Sequence, residues 1–378
     1  MSEVSVPDRL ARVALSRLSE PGDVRLTTLV GRLGAARVFE LLRDEEDITG
    51  VYTDVAARLR GLDPARELEE ADRRGIRFVC PGDPAWPTAV DGLDAVEPVL
   101  GRGGAPLGLW VRGPLDLATA SARSVAIVGS RSATTYGSSV ASDIAAHVAG
   151  AGFTVVSGAA FGIDQAAHRG ALAMKGPTVA VLACGVDRAY PSAHRNLLDY
   201  IADTGLVVSE LPPGCAPTKL RFLSRNRLIA ALAGGTLVVE AAVRSGALST
   251  ANWAARLNRV LMGVPGPVTS APSEGVHELV RNRAAELVTR GEHVLELLAP
   301  SGAHLLAEPR APERADDRLT PRERQVLDAV PVVRPAQVGS IARAAGLGET
   351  EVLRCTARLR SLGLVELGDA GWRKSTTT

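Results

Sequence analysis

The chain has 378 residues, 46% of them apolar and 22% charged, with a net charge of +1. Such a length suits two or three domains rather than one core, and such a balance excludes global disorder. A charge so near zero confines any nucleic-acid site to a local patch.

Residues 1–75 are predicted to be helical. Leu10, Val13, Ala14 and Leu18 recur at helical spacing, and a second pattern runs from Leu26 to Leu42 across Gly31 and Gly34. A SAM-like or helix-hairpin-helix-like module and a small structural helical domain both fit. The glycine spacing is not diagnostic, so the structural reading is preferred. Residues 76–117 hold six prolines between Pro81 and Pro114, which exclude long helices. Short strands are expected there at Arg77–Cys80 and Leu109–Arg112.

From Ser124 the character changes. Strands are predicted at Val125–Val128, Thr154–Val156, Thr178–Leu182, Leu206–Val208 and Thr236–Val239. Helices are predicted between and after them, at Ser138–Ala149, Asp164–Met174, Ala193–Asp203, Arg221–Leu232 and Ala247–Leu257. Short apolar strands alternating with helices predict an α/β core over 76–298, a parallel sheet covered on both faces.

Residues 299–318 read as a linker, rich in proline and mixed charge. Beyond it, 319–378 carries a capping-box start at Thr320-Pro321-Arg322-Glu323. Helices are expected near 321–330, 336–345 and 349–362, then a hairpin from Val365 to Trp372. Three helices and a hairpin make a winged helix-turn-helix domain. Its charge is +3, nine bases against six acids, but Glu349 and Glu351 open the proposed recognition helix. A DNA role and a protein-contact or accessory role therefore both stand.

The residues that suggest chemistry lie where strands end, which is where open parallel sheets bind ligands. Gly129-Ser130-Arg131 follows the first strand of the core, Ser157-Gly158 and Gly162-Ile163-Asp164 the second, and Ser245-Gly246 opens a late helix. Small residues let backbone N–H groups approach an anion, and Arg131 can clamp a phosphate. One such turn is ordinary turn chemistry; several on one edge point to phosphate binding. Asp164 and His168 are read as a helix N-cap and a structural histidine. No GxGxxG follows the first strand of the core and no GxxxxGK[ST] occurs, so dinucleotide and P-loop enzymes lose support. The scattered histidines include no metal pattern, and no cofactor is expected.

The densest basic segment is 219–244, with Lys219, Arg221, Arg225, Arg227 and Arg244 against Glu240. Lys219, Arg221 and Arg225 can meet phosphates, Phe222 can stack on a base, and Asn226 can hydrogen-bond one. The competing reading is a solvated basic face with Phe222 in the core. Leu228, Ala231 and Leu232 already supply this helix with a core-facing stripe, which favours the first reading. With only 3% aromatic residues, a surface of many stacking rings is not expected. Only three of the 43 basic residues are lysines, a bias read as a GC-rich genome. No apolar run approaches the ~18 residues of a membrane span, and Met1 to Asp23 has no signal-like apolar stretch. The four separated cysteines read as reduced cytosolic thiols, so a cytoplasmic protein is expected.

The run Ser157-Gly158-Ala159-Ala160-Phe161-Gly162-Ile163-Asp164-Gln165-Ala166-Ala167-His168 resembles the SGxAxGID…AH signature of the DprA/Smf family. Further motifs agree in order: Gly129-Ser130-Arg131; Val179–Asp187 with Tyr190-Pro191; Ser209-Glu210 with Pro212; Arg225-Asn226-Arg227 with Ile229-Ala230; Val238–Ala241 with Ser245-Gly246; and Pro265-Gly266. The resemblance covers about 76–298. It implies an extended Rossmann fold that binds single-stranded DNA, forms a homodimer and loads RecA recombinase in natural transformation and recombination. It implies no enzyme activity. It carries DNA binding to Arg131, Lys219, Phe222, Arg225 and Asn226. Two positions depart from the family pattern: Leu223 stands for a proline and His277 for an asparagine.

A runner-up comes from Gly234-Gly235-Thr236 and Glu240, which loosely resemble the PGGxGTxxE turn of lysine-decarboxylase-like nucleotide hydrolases. That reading makes the chain a nucleoside monophosphate phosphoribohydrolase with Glu240 catalytic. A third makes it a winged-helix regulator whose Rossmann core senses a small ligand.

Overall fold

The strands after Ser124 are apolar on both sides, so each must be covered twice. In the computed structural model, which describes residues 4–43, 61–305 and 319–375, this is what the central sheet achieves. β3 (Ser124–Val128), β4 (Thr154–Ser157), β5 (Thr178–Val181), β6 (Leu206–Ser209) and β7 (Gly235–Val238) are buried at every position. Apolar clusters cover both faces: Ala126, Val156, Val179 and Val208 point to one, and Val125, Ile127, Val155 and Leu237 to the other, where Ala180 and Val207 belong to a separate cluster.

β1 (Ile76–Val79), β2 (Leu109–Arg112), β8 (Val260–Gly263) and β9 (Glu286–Leu287) complete nine strands in the order β1-β2-β6-β5-β4-β3-β7-β8-β9. From β6 to β9 every pairing is parallel. The sheet is not wholly parallel: β2 pairs antiparallel with both β1 and β6. The proline-rich segment thus extends the main sheet, with Phe78 and Trp110 in ring contact at 4.9 Å. Successive strands run outward from β3 through β4 and β5 to β6. The chain then returns to β7 on the other side of β3 and continues to β8 and β9. The strand order therefore reverses between β3 and β7, and loops leaving those two strands diverge into a crevice.

The N-terminal helices Val6–Leu18, Val24–Leu33 and Ala35–Arg43 share an apolar cluster that includes Leu15, Leu26 and Val38. The expected single run from Leu26 to Leu42 is broken at Gly34, whose φ of +82° ends one helix before the next begins. Residues 44–60 of the predicted helical segment and 306–318 of the predicted linker lie outside the described residues. Compact packing separates 1–306 from 307–378. The second unit holds helices Pro321–Ala329, Val338–Ala345 and Glu349–Ser361 and the antiparallel pair Val365–Gly368 with Gly371–Lys374. Thr320 and Glu323 form the capping box.

The helix that carries the basic segment, Lys219–Leu232, is locked by Arg227. Its guanidinium is fully buried, forks onto Glu210 at 2.7 and 2.8 Å, and donates to the carbonyls of Gly104 and Ser224. Truncation would strand the Glu210 carboxylate. We expect Arg227→Ala to cost about 3–5 kcal/mol in urea unfolding; a loss below 1 kcal/mol would show the pair to be dispensable.

A second buried group sets a pH dependence. His168 lies on the helix Ile163–Ala173, and its Nδ1–H donates to the Thr178 hydroxyl at 2.8 Å, which itself donates to Val155 O. Burial, with His194 and Arg225 nearby, lowers its pKa to about 3. Below pH 6.5 the unfolded chain takes a proton that the folded chain refuses, so stability falls as the pH drops from 6.5 towards 3. Between pH 7 and 5 the loss from this group is about 2 kcal/mol. His168→Gln should flatten that part of a urea-midpoint profile; an unchanged slope would assign it to other groups.

Candidate nucleic-acid interface

The loop after β3 is held by the chain after β7. Ser130 N donates to Glu240 O at 2.7 Å. The Glu240 carboxylate, only 1% exposed, accepts from Thr134 N at 3.0 Å and from the Thr134 hydroxyl. Thr134 in turn caps the helix Thr135–Gly150 by accepting from Gly137 N. The loop after β4 is bound to the same place. Ile163 N donates to Ser130 O at 3.1 Å, and a Cβ on Gly162 would fall 2.3 Å from that oxygen. Gly162 also sits at φ +77°, so two constraints require glycine.

These loops floor a cleft of about 750 Å³. Of the residues singled out by sequence, Ser130, Arg131, Lys219, Phe222, Arg225, Asn226, Ser245 and Gly246 line it. Three do not. The Ser157 hydroxyl is buried and donates to Ile127 O at 2.6 Å. Gly158 lies beneath Arg225, where a Cβ would come within 1.4 Å of Nη1; its role is to leave room for that side chain. Arg221, expected to meet phosphate, is instead forked onto Glu20 at 2.7 and 2.8 Å, and Glu20 raises its pKa. Sequence reasoning assigned no ligand role to Arg244 or Tyr190, which also line the cleft. Their signals were present, in the base just before Ser245-Gly246 and in the Tyr190-Pro191 motif.

Thr218 caps the helix Lys219–Leu232 by accepting from Arg221 N, which places Lys219 and Phe222 in its first turns. Leu223 therefore lies inside the helix, where a leucine is well accommodated. Phe222 is half-buried at the cleft, not in the core. The Arg131 guanidinium lies 4.9 Å over its ring, and the Tyr190 ring tilts against it at 5.5 Å. This cation–π arrangement holds an exposed arginine in place. Asn226 Nδ2 donates to Gly246 O at 3.3 Å, linking the two helices that flank the cleft.

Arg225 is the unusual group. It is 5% exposed, yet its Nε and Nη1 have no hydrogen-bond partner. Burial lowers its pKa, Asp164 opposes that shift, and Arg131 adds to it. Asp164 also faces the cleft, and burial raises its pKa against the pull of Arg225. Asp164 is not the helix N-cap; that position is Gly162, and Asp164 accepts from Ala160 N at 3.4 Å. Nε and Nη1 are themselves buried, Nη1 over Gly158, so Arg225 lends the cleft wall a positive charge that Asp164 opposes rather than open donors.

Glu240 does not line the cleft. With both carboxylate oxygens bound to Thr134, it moors the loops and offers no base to a substrate, so the hydrolase reading is not favoured. His277 Nε2 lies 3.1 Å from Gly266 O and 3.4 Å from Gly266 N, so the histidine secures the Pro265-Gly266 turn.

The family model for DNA recombination-mediator protein A matches residues 77–299. A Mycobacterium tuberculosis protein named as a DNA processing protein DprA is 43% identical over 371 residues, 97% of this chain and 94% of that one. The X-ray structure of DNA processing protein A from Streptococcus pneumoniae superposes with a TM-score of 0.64 at 30% identity, over 78% of this chain and 99% of that one. DNA processing protein A from Helicobacter pylori, whose structure is described for its single-stranded DNA binding mode, gives 0.50 at 27% identity over 58% and 94%.

Thr134 makes the mooring testable without touching the cleft. Thr134→Val removes the hydroxyl that both donates to Glu240 and caps a helix. We expect a loss of about 1–3 kcal/mol in urea unfolding and faster amide exchange at Ser130. Unchanged exchange there would mean that Glu240 does not hold this loop.

Proposed function

The chain belongs to the DNA recombination-mediator protein A family, and from that premise we propose that it binds single-stranded DNA in the strand-end cleft. We further propose that it delivers this DNA to a RecA-type recombinase in recombination or transformation, acts as a homodimer in the cytoplasm, and catalyses no reaction. Arg225 is the observation that carries the reading. It stands in the cleft wall, at the point where the sheet order reverses, as a cation whose buried Nε and Nη1 find no hydrogen-bond partner. Lys219, Arg131 and Arg244 are exposed around it, so the site has cations for a run of phosphates and the rings of Phe222 and Tyr190 for a base. Its width, its open character and the lack of a base-reading helix suit a flexible strand better than a duplex. The described residues include no helix long and apolar enough to cross a membrane.

We read the second unit as a winged helix in an accessory role. Glu349 and Glu351 occupy the first turn of its third helix, and Glu351 has Arg322 at 3.7 Å and Arg354 at 3.9 Å. Carboxylates already fill the favourable field of that N-terminus.

Anisotropy with single-stranded and duplex oligonucleotides of equal length, across a salt series, tests the main claim. The single strand should bind more tightly, and log K should fall against log[salt] by about 0.7 per phosphate neutralised. Arg131→Ala and Lys219→Ala should each weaken binding and reduce that slope by about 0.7, with stability changed by no more than ~0.5 kcal/mol. Equal affinity for both DNA forms at moderate salt would overturn the proposal.

A further inference from the structure

Beyond the cleft, the same edge presents a ring that the reading above does not use. Phe161 is 47% exposed. Phe78 and Phe153 are buried, Phe39 packs against the helical cluster, and Phe222 lines the cleft. Phe161 does not line it, but Ala160, the residue before it, does.

Its exposure is fixed by the backbone. Ala159 at φ +53° and Gly162 at φ +77° bracket the turn. Gly162 is pressed against the carbonyls of Ser130 and Arg131, where a Cβ would fall at 2.3 and 2.8 Å. The ring is supported from behind by His194, edge-on at 4.6 Å and 67°. His194 is 2% exposed, and its Nδ1–H donates to Ala159 O at 3.0 Å, securing the same turn. A large apolar ring held this firmly and left open to solvent is prepared for a planar apolar partner.

The strand order says which partner. Tyr190 follows β5, Phe161 follows β4 and Arg131 follows β3, and those strands are neighbours about 4.8 Å apart. Tyr190 is 46% exposed. Tyr190 and Arg131 both close on Phe222 inside the cleft, and Phe161 stands just outside it, so exposed rings and cations adjoin on this edge. A chain of alternating phosphates and planar bases matches that mixture of groups; a protein surface has no such repeat.

We propose that Phe161 is a second base-stacking platform, which takes the base of a nucleotide flanking those in the cleft. The inference rests on the single-strand reading and adds a subsite to it. Stacking on a ring face tolerates every base, so the subsite adds affinity and footprint without sequence preference.

The test uses the full chain, its Phe161→Ala and Phe161→Trp variants, and a ladder of oligothymidylates from three to twenty nucleotides. Phe161→Ala should bind the shortest oligonucleotides like the unaltered chain and the longer ones about tenfold more weakly. Its salt slope should not change, because no charge is removed. Phe161→Trp should restore long-oligonucleotide affinity, and its added indole fluorescence should be quenched by DNA. Unaltered affinity of Phe161→Ala at every length would overturn the proposal. So would equal weakening at all lengths with a lower melting temperature, or a change confined to self-association in sedimentation. Failure of the unaltered chain to bind any single strand would instead bring down the parent reading, and this subsite with it.

Discussion

A guanidinium buried without a partner is costly, and the carboxyl edge of this sheet is organised around one. Three arginines on a single helix show how differently the same group can be used. Arg227 is fully satisfied by Glu210 and two carbonyls and fixes the helix. Arg221 is neutralised by Glu20. Arg225, between them in sequence, is 5% exposed and leaves Nε and Nη1 buried without a hydrogen-bond partner. Asp164 offsets part of its desolvation, and Gly158 leaves the space it occupies. An anion in the cleft would offset part of the remaining cost through its charge, not through those two buried donors.

The walls of the cleft are held before any ligand arrives. The reversal of strand order between β3 and β7 parts the loops there, and parted loops are a liability unless something joins them. Glu240 joins them with its backbone and its carboxylate together: Ser130 on one, Thr134 on the other. Ile163 and Gly162 fix the β4 loop to the carbonyl of Ser130. Preorganisation of this kind lowers the entropy lost on binding. It also explains why the acid that a motif comparison suggested as catalytic is the one least free to react.

Much of this was readable in the sequence, for identifiable reasons. The runs Val125–Val128 and Thr178–Leu182 are apolar at consecutive positions, a pattern that only a doubly covered strand tolerates, and the structure places β3 and β5 there. Eight of the eleven candidate residues meet in one cleft because motifs at successive strand ends must share an edge. The misses are long-range. Nothing local to Arg221 announces a carboxylate 201 positions earlier, and nothing at Gly158 announces a side chain from a later helix. β8 and β9 were not predicted; β9 spans two residues, too short to have a period. β2 was expected at Leu109–Arg112, but its antiparallel pairing was not, because pairing direction depends on where the chain re-enters the sheet, not on the strand's composition.

The Glu20–Arg221 pair changes how the N-terminal helices should be regarded. Their sequence suggests a separate appendage, but Arg17 and Glu20 reach into the loop that leads to the basic helix. Arg17 donates to Pro213 O at 3.1 Å and is itself paired with Glu67. Glu20 takes Arg221 one turn before Arg225. The charge at the cleft is therefore not the +4 counted along 219–244. Arg227 is consumed by Glu210 and Arg221 by Glu20, while Arg131 joins from the β3 loop. What lines the cleft is Arg131, Lys219, Arg244 and Arg225, tempered by Asp164. That is a narrower and better aimed positive field than the sequence count implies, and it depends on an acid from the helical segment staying in place.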